Sequence, residues 1–502
     1  MPISSLAWDF FAQARRHPVA PALRSRTEVV TYAELAELTE NALTTVDGGT
    51  GPVAVLARKS PGAVAVVLAG LAANRPILLP PVDLGRATLG ALCERVRCTQ
   101  VLAVNTPEPG QADLVTDVVQ VGSSAVGRPA GPTAGDHTGR GRASDRDVSF
   151  LLTTSGSTGV PKIVPLSVGA VSRFTQWAGD QFGFGLGTTA LSFAPLNFDL
   201  SLLEVWTTLR YGGCVAMVEP ERAVHPQHLT DLITAAGVNV IQAVPMLYRI
   251  LLDAPGGPSF PAVTHVVVTG DHAPPSVRAG LPRLFPRARL YNIYGCTETN
   301  DSFLYEFNAE EALASPALPI GRPLPGVWTS IVDSDDQAAE GTVTGELLVS
   351  TPFQTLGYLG GGSDRFVVRP DGRTYFRTGD LVHRDDAGRV TVLGRRDFEV
   401  KVRGVRVNLE EIERIILDHE EVIETAVVAV ADDIAGRRLH ATVRAAPSGT
   451  LTALRLREHC AARLPRVAIP AEIRLVGEPL PRTSTGKVDR TRIRSELGKG
   501  RA

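Results

Sequence analysis

The sequence predicts a large N-terminal α/β domain, built on doubly wound sheets with a small β-rich part, followed by a smaller α+β C-terminal domain. From about residue 50 to residue 300, short runs of β-branched residues alternate with stretches of helical spacing. These runs are continuously apolar, which is typical of strands covered by helices on both faces. After Pro325 the pattern changes to β-hairpins, and from Asn408 a compact α+β unit of about 100 residues follows.

The individual elements follow from the same patterns along the chain. Short β-branched runs predict strands at 148–153, 214–218, 238–244 and 265–269. Helical spacing predicts helices between them, at 226–236 and 275–284. In the hairpin region a turn is expected at 386–388. The last unit is predicted to contain a helix from 408, strands at 425–430 and 439–443, and a helix near 451–464.

The composition limits the functional classes that fit. The chain has 502 residues, of which 44% are hydrophobic and 21% charged, and this excludes a largely disordered protein. Its formal net charge is −2, so the positive surface that nucleic acids or anionic membranes require is not expected. A chain of this length favours several domains, or one large unit with a small one.

Apolar runs and cysteines bear on the cellular location. The longest apolar run, at 61–73, is shorter than the roughly 20 residues that cross a bilayer. The N-terminus carries Asp9 where a signal peptide needs an apolar stretch, so we expect a cytoplasmic protein. The five cysteines show no CxxC spacing, which predicts neither disulfides nor a zinc site. The segment 121–147, rich in Gly, Ser, Pro and Ala, is predicted to be a surface loop.

The most informative segment follows the strand at 148–153. Hydroxyl residues and glycines interleave there and lead to Lys162, so that backbone N–H and side-chain O–H groups can surround phosphate oxygens. The GxxxxGK(S/T) pattern of a Walker A loop is absent. Lysine occurs only at positions 59, 162, 401, 487 and 499, which makes a lysine in this loop informative. Taken alone, a glycine-rich loop is more often a flexible turn. If it binds phosphate, the residues concerned are Thr153, Thr154, Ser155, Gly156, Ser157, Thr158, Gly159 and Lys162.

Other motifs accompany the loop TTSGSTGVPK at 153–162. In chain order they are TYAEL at 31–35, FDLS at 198–201, NIYGCTE at 292–298, GEL at 345–347, GY at 357–358, YFRTGDL at 375–381, GRRD at 394–397, KVRG at 401–404, LP at 464–465 and TGKVDR at 485–490. Together they resemble the adenylate-forming superfamily, which contains acyl-CoA synthetases, luciferases and the adenylation domains of nonribosomal peptide synthetases. The resemblance extends from about residue 30 to residue 490, with Ile163 where the family usually has glycine.

The resemblance implies a site for ATP and Mg²⁺. It places Glu298 as a ligand of Mg²⁺ with the Thr154 hydroxyl nearby, and such oxygen atoms suit this cation. Asp380 would accept both ribose hydroxyls, Arg395 would hold the ribose or phosphate side, and Tyr294 would lie against adenine. Outside this family context, Glu298 would be a solvated glutamate and Asp380 a turn residue. Arg395 would be a surface arginine of a hairpin, and Tyr294 a core tyrosine. The implied nucleotide site also contains Asn292, Gly295, Cys296 and Thr297.

Lys487 is predicted to be the main catalytic residue, together with Glu298 and Thr154. In adenylation a substrate carboxylate attacks the α-phosphorus of ATP, and both reactants are anionic. An ammonium group between the carboxylate, a ribose oxygen and the α-phosphate offsets this charge. A lysine near a C-terminus is ordinarily solvated, but the TGKVDR motif and the scarcity of lysine favour the catalytic interpretation.

The resemblance also implies two domains that rotate relative to each other. It divides the chain into 1–396, of which 324–396 is the β-rich part, and 397–502, with a hinge at Asp397. In such enzymes the small domain turns after adenylation and presents a different face for thioester formation, so the hinge must absorb a change of φ and ψ. The glycine at 404 would then approach the thiol acceptor. A plain turn after a hairpin is compatible with this role.

Asp199 indicates the substrate class. In amino-acid-activating relatives an aspartate at this place pairs with the substrate's ammonium group, and a desolvated carboxylate is costly unless it meets a cation. The alternative is an N-cap for a helix beginning at Leu200. Around Asp199, the residues that align with the family's substrate pocket are Leu200, Leu203, Gln242, Val267, Thr269, Gly270, Ile293, Asp301 and Ser302, with Lys487. The aliphatic residues of this set predict a restricted pocket. Gln242, Thr269 and Asp301 predict that the pocket recognises a polar or cationic group. The alternative for Asp301 is a position facing solvent at the pocket entrance.

The predicted function is ATP-dependent activation of an amino acid as aminoacyl-AMP, with release of pyrophosphate. The aminoacyl group would then pass to the phosphopantetheine thiol of a separate carrier protein, since no condensation, carrier or reductase region is recognised. The GGGSD segment at 360–364 is interpreted as a surface turn rather than a phosphopantetheine attachment site. The alternatives are an acyl- or aryl-CoA ligase for a non-amino carboxylic acid, and a non-catalytic nucleotide-binding protein that kept the fold.

Overall fold

The computed structural model describes most of the chain. The described residues are 4–46, 49–82, 84, 86–104, 115–119, 142–154, 161–314, 317–333, 335–339, 341–361, 363–402, 405–432, 436–447, 449–464, 466–483 and 487–499. Most of the predicted surface loop, from 121 to 141, lies outside them.

The helices are short to medium in length. In chain order they are α1 (Ser5–Arg16), α2 (Tyr32–Val46), α3 (Pro61–Ala72), α4 (Arg86–Val96), α5 (Val168–Phe182), α6 (Thr208–Arg210), α7 (Pro226–Ala236), α8 (Pro245–Leu252), α9 (Pro275–Leu284), α10 (Ala309–Ala314), α11 (Leu409–Leu417), α12 (Ala453–Ala461) and α13 (Arg490–Lys499). A π-helical segment, Leu202–Thr207, leads directly into α6.

In the part of the chain that the structure describes, the strands outnumber the helices and form five sheets. They are β1 (Pro21–Arg24), β2 (Val29–Thr31), β3 (Val53–Leu56), β4 (Ile77–Leu78), β5 (Gln100–Val104), β6 (Asp117–Val119), β7 (Val148–Thr154), β8 (Lys162–Ser167), β9 (Thr189–Ser192), β10 (Cys214–Met217), β11 (Val240–Ala243), β12 (His265–Thr269), β13 (Arg289–Cys296), β14 (Asn300–Phe307), β15 (Arg322–Pro323), β16 (Trp328–Val332), β17 (Val343–Ser350), β18 (Phe366–Val368), β19 (Thr374–Arg384), β20 (Val390–Arg395), β21 (Glu399–Val402), β22 (Val405–Asn408), β23 (Val422–Asp432), β24 (Gly436–Ala445) and β25 (Glu472–Val476).

Two large sheets form the first part of the fold. One has nine strands in the order β15-β14-β13-β12-β11-β9-β10-β1-β2, and it is parallel from β13 to β1. The other has six strands in the order β6-β5-β3-β4-β7-β8, with only β7 and β8 antiparallel. Helices cover both faces of each sheet, as the continuously apolar strands predicted.

The helix α3 explains the longest apolar run of the sequence. Its residues 62–72 are all buried, and they share one apolar cluster with strands of both large sheets. A helix that is apolar on all sides is stable in water only when it is surrounded by other elements. Layers of α7, α8 and α9 on one outer face and of α4 on the other complete the arrangement. No helix in the described ranges combines the length and apolar character that crossing a membrane requires.

Three smaller sheets follow. Strands β16 to β20 form an antiparallel sheet in the region where hairpins were predicted. The hairpin β21–β22 and the sheet β23-β24-β25 pack with α11 and α12 around a separate apolar core, and α13 covers the other face of β23. The predicted fold class, a large α/β part and a small α+β part, is therefore confirmed.

Element by element, the agreement is closest for the helices of the large part. The predicted helices at 226–236 and 275–284 coincide with α7 and α9, whereas the strand expected at 238–244 is shortened to β11. Asn408 is the N-cap of α11, because its side chain accepts hydrogen bonds from the first turn. The π-helical segment was not predicted, since a 3.6-residue period does not distinguish it from an α-helix.

A buried glutamate, Glu204, and a lysine, Lys59, interact electrostatically between the two large sheets, close in sequence to the FDLS motif. Lys59 follows β3, and its ammonium group donates to the carbonyl oxygens of Ser192, at the end of β9, and of Ala194, the latter at 3.1 Å. Glu204, fully buried in the π-helical segment, accepts from the Ala194 N–H at 3.2 Å. Loss of solvation raises the pKa of Glu204 and lowers that of Lys59, while each charge favours the other's ionised form. The pair therefore fixes the segment that leads to Asp199.

Removing the cation of this pair should destabilise the protein. In Lys59→Met two carbonyl groups and a buried carboxyl lose their cationic partner, which is expected to cost about 3 kcal/mol. Urea unfolding followed by tryptophan fluorescence measures the change, because Trp206 lies two residues from Glu204. The double variant Lys59→Met/Glu204→Leu should recover part of the loss. A loss no larger than that of Arg494→Met, at an exposed position, would contradict the account.

Candidate active site

The carboxyl ends of four parallel strands meet at one edge of the nine-stranded sheet. These strands are β9, ending at Ser192, β11, ending at Ala243, β12, ending at Thr269, and β13, which ends at Cys296. In open α/β sheets, ligands bind just outside the carboxyl ends of the strands. The segments that leave this edge contain the FDLS and YGCTE motifs, so the topology itself collects the predicted site residues.

Asp199 lies half-buried on the segment that follows β9. Loss of solvation raises the pKa of its carboxyl, and the nearby charge of Glu298 raises it further. A hydrogen bond with the Thr297 side chain and the charge of Lys487 act in the opposite direction. The structure thus brings the FDLS aspartate together with the YGCTE motif and with a lysine from the far end of the chain.

The predicted pocket residues on the strands share one face of the sheet. Gln242 lies opposite Val267 in the register of β11 and β12, and Thr269 lies opposite Ile293 in that of β12 and β13. Since residues two apart on a strand point to the same side, these four side chains face the same layer. That layer contains Leu203, which belongs to the same apolar cluster as Val267 and Ile293. The other pocket candidates are Leu200, Asp301 and Ser302, all buried, and Gly270, with a φ of 79°.

Asp301, a predicted pocket residue, is buried near the start of β14. Loss of solvation and the charge of Asp199 raise the pKa of its carboxyl to about 8, although a hydrogen bond with Gln242 opposes the rise. Its backbone N–H donates to Asn300 Oδ1 at 2.9 Å, and Asn300 itself has a positive φ of 57°. A solvent-facing position for Asp301 does not agree with an exposed fraction of 7%.

Asp380, the candidate ribose ligand, is held between Tyr294 and Arg395. Asp380 and Arg395 are direct neighbours across β19 and β20, and the guanidinium donates to Asp380 Oδ1 at 3.1 Å. The Tyr294 hydroxyl donates to Oδ2 of the same carboxylate. The Tyr294 ring also packs edge-on against Phe303, with 5.8 Å between ring centres. Tyr294 thus combines a contact to the candidate ribose ligand with packing in the core, and its role beside adenine stays a prediction.

The two ends of the glycine-rich loop lie near Glu298. Thr154, the last residue of β7, is opposite Lys162, the first of β8. The Lys162 ammonium lies 4.6 Å from the centre of the Tyr358 ring, and the Tyr358 hydroxyl donates to Glu298 Oε1. Ile163, where the family has glycine, is fully buried in the cluster beneath α4. Outside the described residues lie Ser155, Gly156, Ser157, Thr158 and Gly159, whose roles stay predictions.

The first half of the NIYGCTE motif is placed by the close approach of β13 and β14. A Cβ at Gly295 would lie 2.3 Å from the carbonyl oxygen of Asn300, so only glycine fits there. Asn292 donates from Nδ2 to the carbonyl oxygen of Pro319 at 2.8 Å. The contact of Asn292 is therefore with the segment before β15, and a role in nucleotide binding stays a prediction.

An ion pair that the sequence analysis missed anchors the segment of Lys487. Arg490 donates from Nε to Glu413 Oε1 at 3.0 Å, and the same oxygen accepts from the Val427 N–H at 2.7 Å. Burial raises the pKa of Glu413. The negative charge of Asp271, which follows β12, raises the pKa of both Glu413 and Arg490. The only sequence signal was the arginine that ends TGKVDR.

The predicted hinge lies in a 3₁₀ turn, Arg396–Phe398, between β20 and β21. The side chain of Asp397 and the glycine at 404 are outside the described residues. Gly394 has a φ of 151°, a conformation that favours glycine, and Asn408 Nδ2 donates to the Arg395 carbonyl oxygen at 3.1 Å. The division of the chain at 396/397 stays a prediction.

Known protein families provide an independent comparison. A family model described as AMP-binding enzyme matches residues 10–359. The chain belongs to the AMP-binding enzyme family. A second model, the AMP-binding enzyme C-terminal domain, matches residues 411–487. The resemblance to adenylate-forming enzymes drawn from the motifs is thereby confirmed.

Relatives of this AMP-binding enzyme include carrier-protein ligases. It is 34% identical over 348 residues to the L-proline–L-prolyl-carrier protein ligase of Pseudomonas fluorescens Pf-5, with 68% of each chain covered. It is 29% identical over 506 residues to the D-alanine–D-alanyl carrier protein ligase of Bacillus velezensis, covering 96% of this chain and 97% of that protein. A 31% identical match to phenyloxazoline synthase MbtB of Mycobacterium sp. (strain MCS) covers 98% of this chain but only 42% of that protein.

A solved structure confirms the fold. The anthranilate CoA ligase AuaEII, in complex with anthranoyl-AMP, superposes with a TM-score of 0.83 at 17% identity, covering 100% of this chain and 99% of that one. At this identity the similarity concerns the fold alone.

The site of this AMP-binding enzyme offers few metal ligands of its own. In the described part of the chain, no group of three or more His, Cys, Asp or Glu side chains could hold a metal ion. Glu298 supplies one carboxylate with an exposed fraction of 9%. Mg²⁺ is commonly bound by one or two carboxylates together with waters and substrate phosphates. The residues present therefore fit a Mg²⁺ ion that is held jointly by Glu298 and the phosphates of a nucleotide.

Replacing the Asp380 carboxylate should weaken nucleotide binding selectively. In Asp380→Asn the charge that holds Arg395 is lost, together with one of the two acceptors predicted for the ribose hydroxyls. The KM for ATP is expected to rise roughly ten- to hundredfold, as for the loss of charged hydrogen bonds, with little change in the KM of the acid substrate. Steady-state pyrophosphate release measures both values. An unchanged KM for ATP, as expected for the exposed control Asp364→Asn, would contradict the assignment.

Proposed function

We propose that this protein activates an amino acid as aminoacyl-AMP at the expense of ATP and transfers the aminoacyl group to the phosphopantetheine thiol of a separate carrier protein. The observation that carries the proposal is the position of Asp199. Its carboxyl is desolvated at the mouth of an apolar pocket, beside Thr297 and the charge of Lys487. The L-prolyl- and D-alanyl-carrier protein ligases among the relatives agree with it.

Charge pairing explains why an amino acid is the preferred substrate class. A zwitterion brings an ammonium group and a carboxylate at a fixed short separation. Asp199 matches the first and Lys487 the second, and the charges of these two side chains already interact. A fatty acid or simple aromatic acid would leave the Asp199 carboxyl desolvated without a cation, which is unfavourable.

The first half-reaction joins two anions, and the residues around the site reduce their repulsion. A carboxylate oxygen of the substrate forms a bond to the α-phosphorus of ATP. The bond from that phosphorus to the oxygen bridging to the β-phosphate breaks, and pyrophosphate leaves with the electron pair. Lys487 would stabilise the negative charge that develops around the α-phosphate, and the loop at 153–162 would hold the β- and γ-phosphates.

The nucleotide and the metal ion are assigned to the two sides of the site. Asp380, held by Tyr294 and Arg395, would accept the ribose hydroxyls. Glu298, with the Thr154 hydroxyl nearby, would hold Mg²⁺, which offsets the charge of the departing pyrophosphate when bound. Tyr358 donates to one oxygen of Glu298 and thereby orients its carboxylate.

The second half-reaction transfers the acyl group to sulfur. The thiol sulfur of the carrier's phosphopantetheine arm loses its proton to solvent and forms a bond to the acyl carbon. The bond from that carbon to the phosphate oxygen breaks, and AMP leaves with the electron pair. Since Lys487 lies near Asp199, the arrangement described here suits the first half-reaction. A rotation of residues 397–502 about Asp397 would withdraw Lys487 and admit the thiol.

Pyrophosphate exchange tests the substrate class directly. With labelled pyrophosphate and ATP, a panel of amino acids should support exchange, whereas matched desamino carboxylic acids should not. Loading of a phosphopantetheinylated carrier protein, followed by intact-protein mass spectrometry, then tests the acceptor against free CoA. Exchange only with non-amino acids would favour an acyl- or aryl-CoA ligase and would refute the proposal.

Lys487→Ala should separate catalysis from folding. The ammonium acts mainly on charge that develops in the transition state, so a loss of roughly 100- to 1000-fold in the adenylation rate is expected. ATP binding by calorimetry and the thermal midpoint should stay close to those of the unmodified protein. Lys499→Ala, which removes a lysine from the end of α13, is the control and should keep full activity. Undiminished adenylation by Lys487→Ala would exclude its catalytic role.

A further inference from the structure

The inner end of the substrate pocket contains two acceptor oxygens without a hydrogen-bond partner in the described part of the chain. They are Asp301 Oδ2 and Gln242 Oε1. Both side chains are deeply buried, with exposed fractions of 7% and 2%. Unpaired buried oxygens of this kind are costly, so a donor from outside the chain, such as a ligand or a water molecule, is expected to meet them.

These two side chains converge because of the sheet topology. Gln242 is on β11 and Asp301 is at the start of β14, two strands separated by β12 and β13 in the nine-stranded sheet. The two side chains are close enough for a Gln242–Asp301 hydrogen bond to lower the pKa of Asp301. Val267 and Ile293, on the two strands between them, are apolar and belong to the cluster that contains Leu203. A substrate side chain that reached Gln242 and Asp301 would therefore pass apolar residues before it met polar ones.

The polar end contains no cationic side chain among the described groups that act on the Asp301 carboxyl. The groups that act on the Asp301 carboxyl are Asp199, an acid, and Gln242, which is neutral. The charge of Lys487 lowers the pKa of Asp199. In the proposed complex, the carboxylate of the substrate would compete with Asp199 for the Lys487 ammonium group. A substrate with one ammonium group can balance only one of the two pocket acids. Desolvation and the charge of Asp199 hold the pKa of Asp301 at about 8, so Asp301 stays protonated near neutral pH unless a cation joins it.

We propose that the pocket selects an amino acid whose side chain ends in a second amino group, which donates to Asp301 Oδ2 and Gln242 Oε1. The inference rests on the proposed function, because Asp199 must take the first ammonium group. A hydroxyl group could donate to only one of the two oxygens at a time, whereas an ammonium group has three N–H donors. An aliphatic side chain would supply no donor to either oxygen.

Isosteric pairs of amino acids test the proposal with the unmodified enzyme. 2,4-Diaminobutyrate and ornithine differ from norvaline and norleucine by an amino group in place of a terminal methyl group, and homoserine supplies the hydroxyl counterpart. In pyrophosphate exchange, kcat/KM for at least one diamino acid should exceed that of its methyl isostere by about tenfold or more. Equal or better use of the methyl isosteres, or of homoserine, would overturn the proposal.

Variants identify the side chains responsible. Asp301→Leu and Gln242→Leu should each lower the ratio of kcat/KM for the diamino acid to kcat/KM for the methyl isostere at least about tenfold. Exchange with the methyl isostere, together with the thermal midpoint, shows that a variant is folded. Asp253→Leu, at an exposed position after α8, is the control. A parallel loss with both substrates in folded variants would contradict a role in selecting the side chain.

The outcomes separate this inference from the proposed function. Amino acids that support exchange without preference for a second amino group would overturn the inference and leave the proposed function intact. Exchange only with desamino acids would refute the proposed function and the inference together. A preference for diamino acids that disappears in Asp301→Leu would support both.

Discussion

The desolvation of carboxyl groups at the carboxyl edge of the nine-stranded sheet governs this site. An acid withdrawn from water must find a cation or a set of donors. The charge of Lys59 stabilises ionised Glu204, and Arg395 and Tyr294 donate hydrogen bonds to Asp380. These two carboxyl groups therefore find their partners within the chain. For Asp199 the opposing groups are Thr297, the Leu200 N–H and a lysine from the C-terminal region, and its pKa is still raised. In the proposed function, the ammonium group of a zwitterionic substrate would supply the missing cation.

The two parts of the fold share this electrostatic arrangement. Lys487 comes from the small α+β part, and the Arg490–Glu413 pair fixes its segment to α11 and β23. Asp271, on the large part, acts on that same pair across the contact. Movement of the small part would therefore change the charge around Asp199. In the proposed reaction cycle, this change of charge links adenylation to the position of the small C-terminal part.

Much of the fold and part of the site follow from local sequence patterns. Continuously apolar runs such as 265–269 predict covered strands because burial on both faces leaves no polar alternation. The FDLS and YGCTE motifs identify Asp199 and Glu298 because their residues are contiguous. The Lys59–Glu204 and Arg490–Glu413 pairs, in contrast, join residues that are distant in sequence, and nothing local marks their partners. Nothing local in the sequence marks Gln242 and Asp301 as neighbours either. Their unpaired oxygens come close together only because β11, β12, β13 and β14 are adjacent in the sheet.

The most direct test of the central claim compares two substrates in two enzymes. The preferred amino acid and its desamino analogue would be assayed by pyrophosphate exchange with the unmodified enzyme and with Asp199→Ala. If Asp199 balances the ammonium group, the unmodified enzyme should favour the amino acid by roughly a hundredfold or more, and this ratio should fall close to one in the variant. A ratio that is unchanged by the substitution would contradict the account.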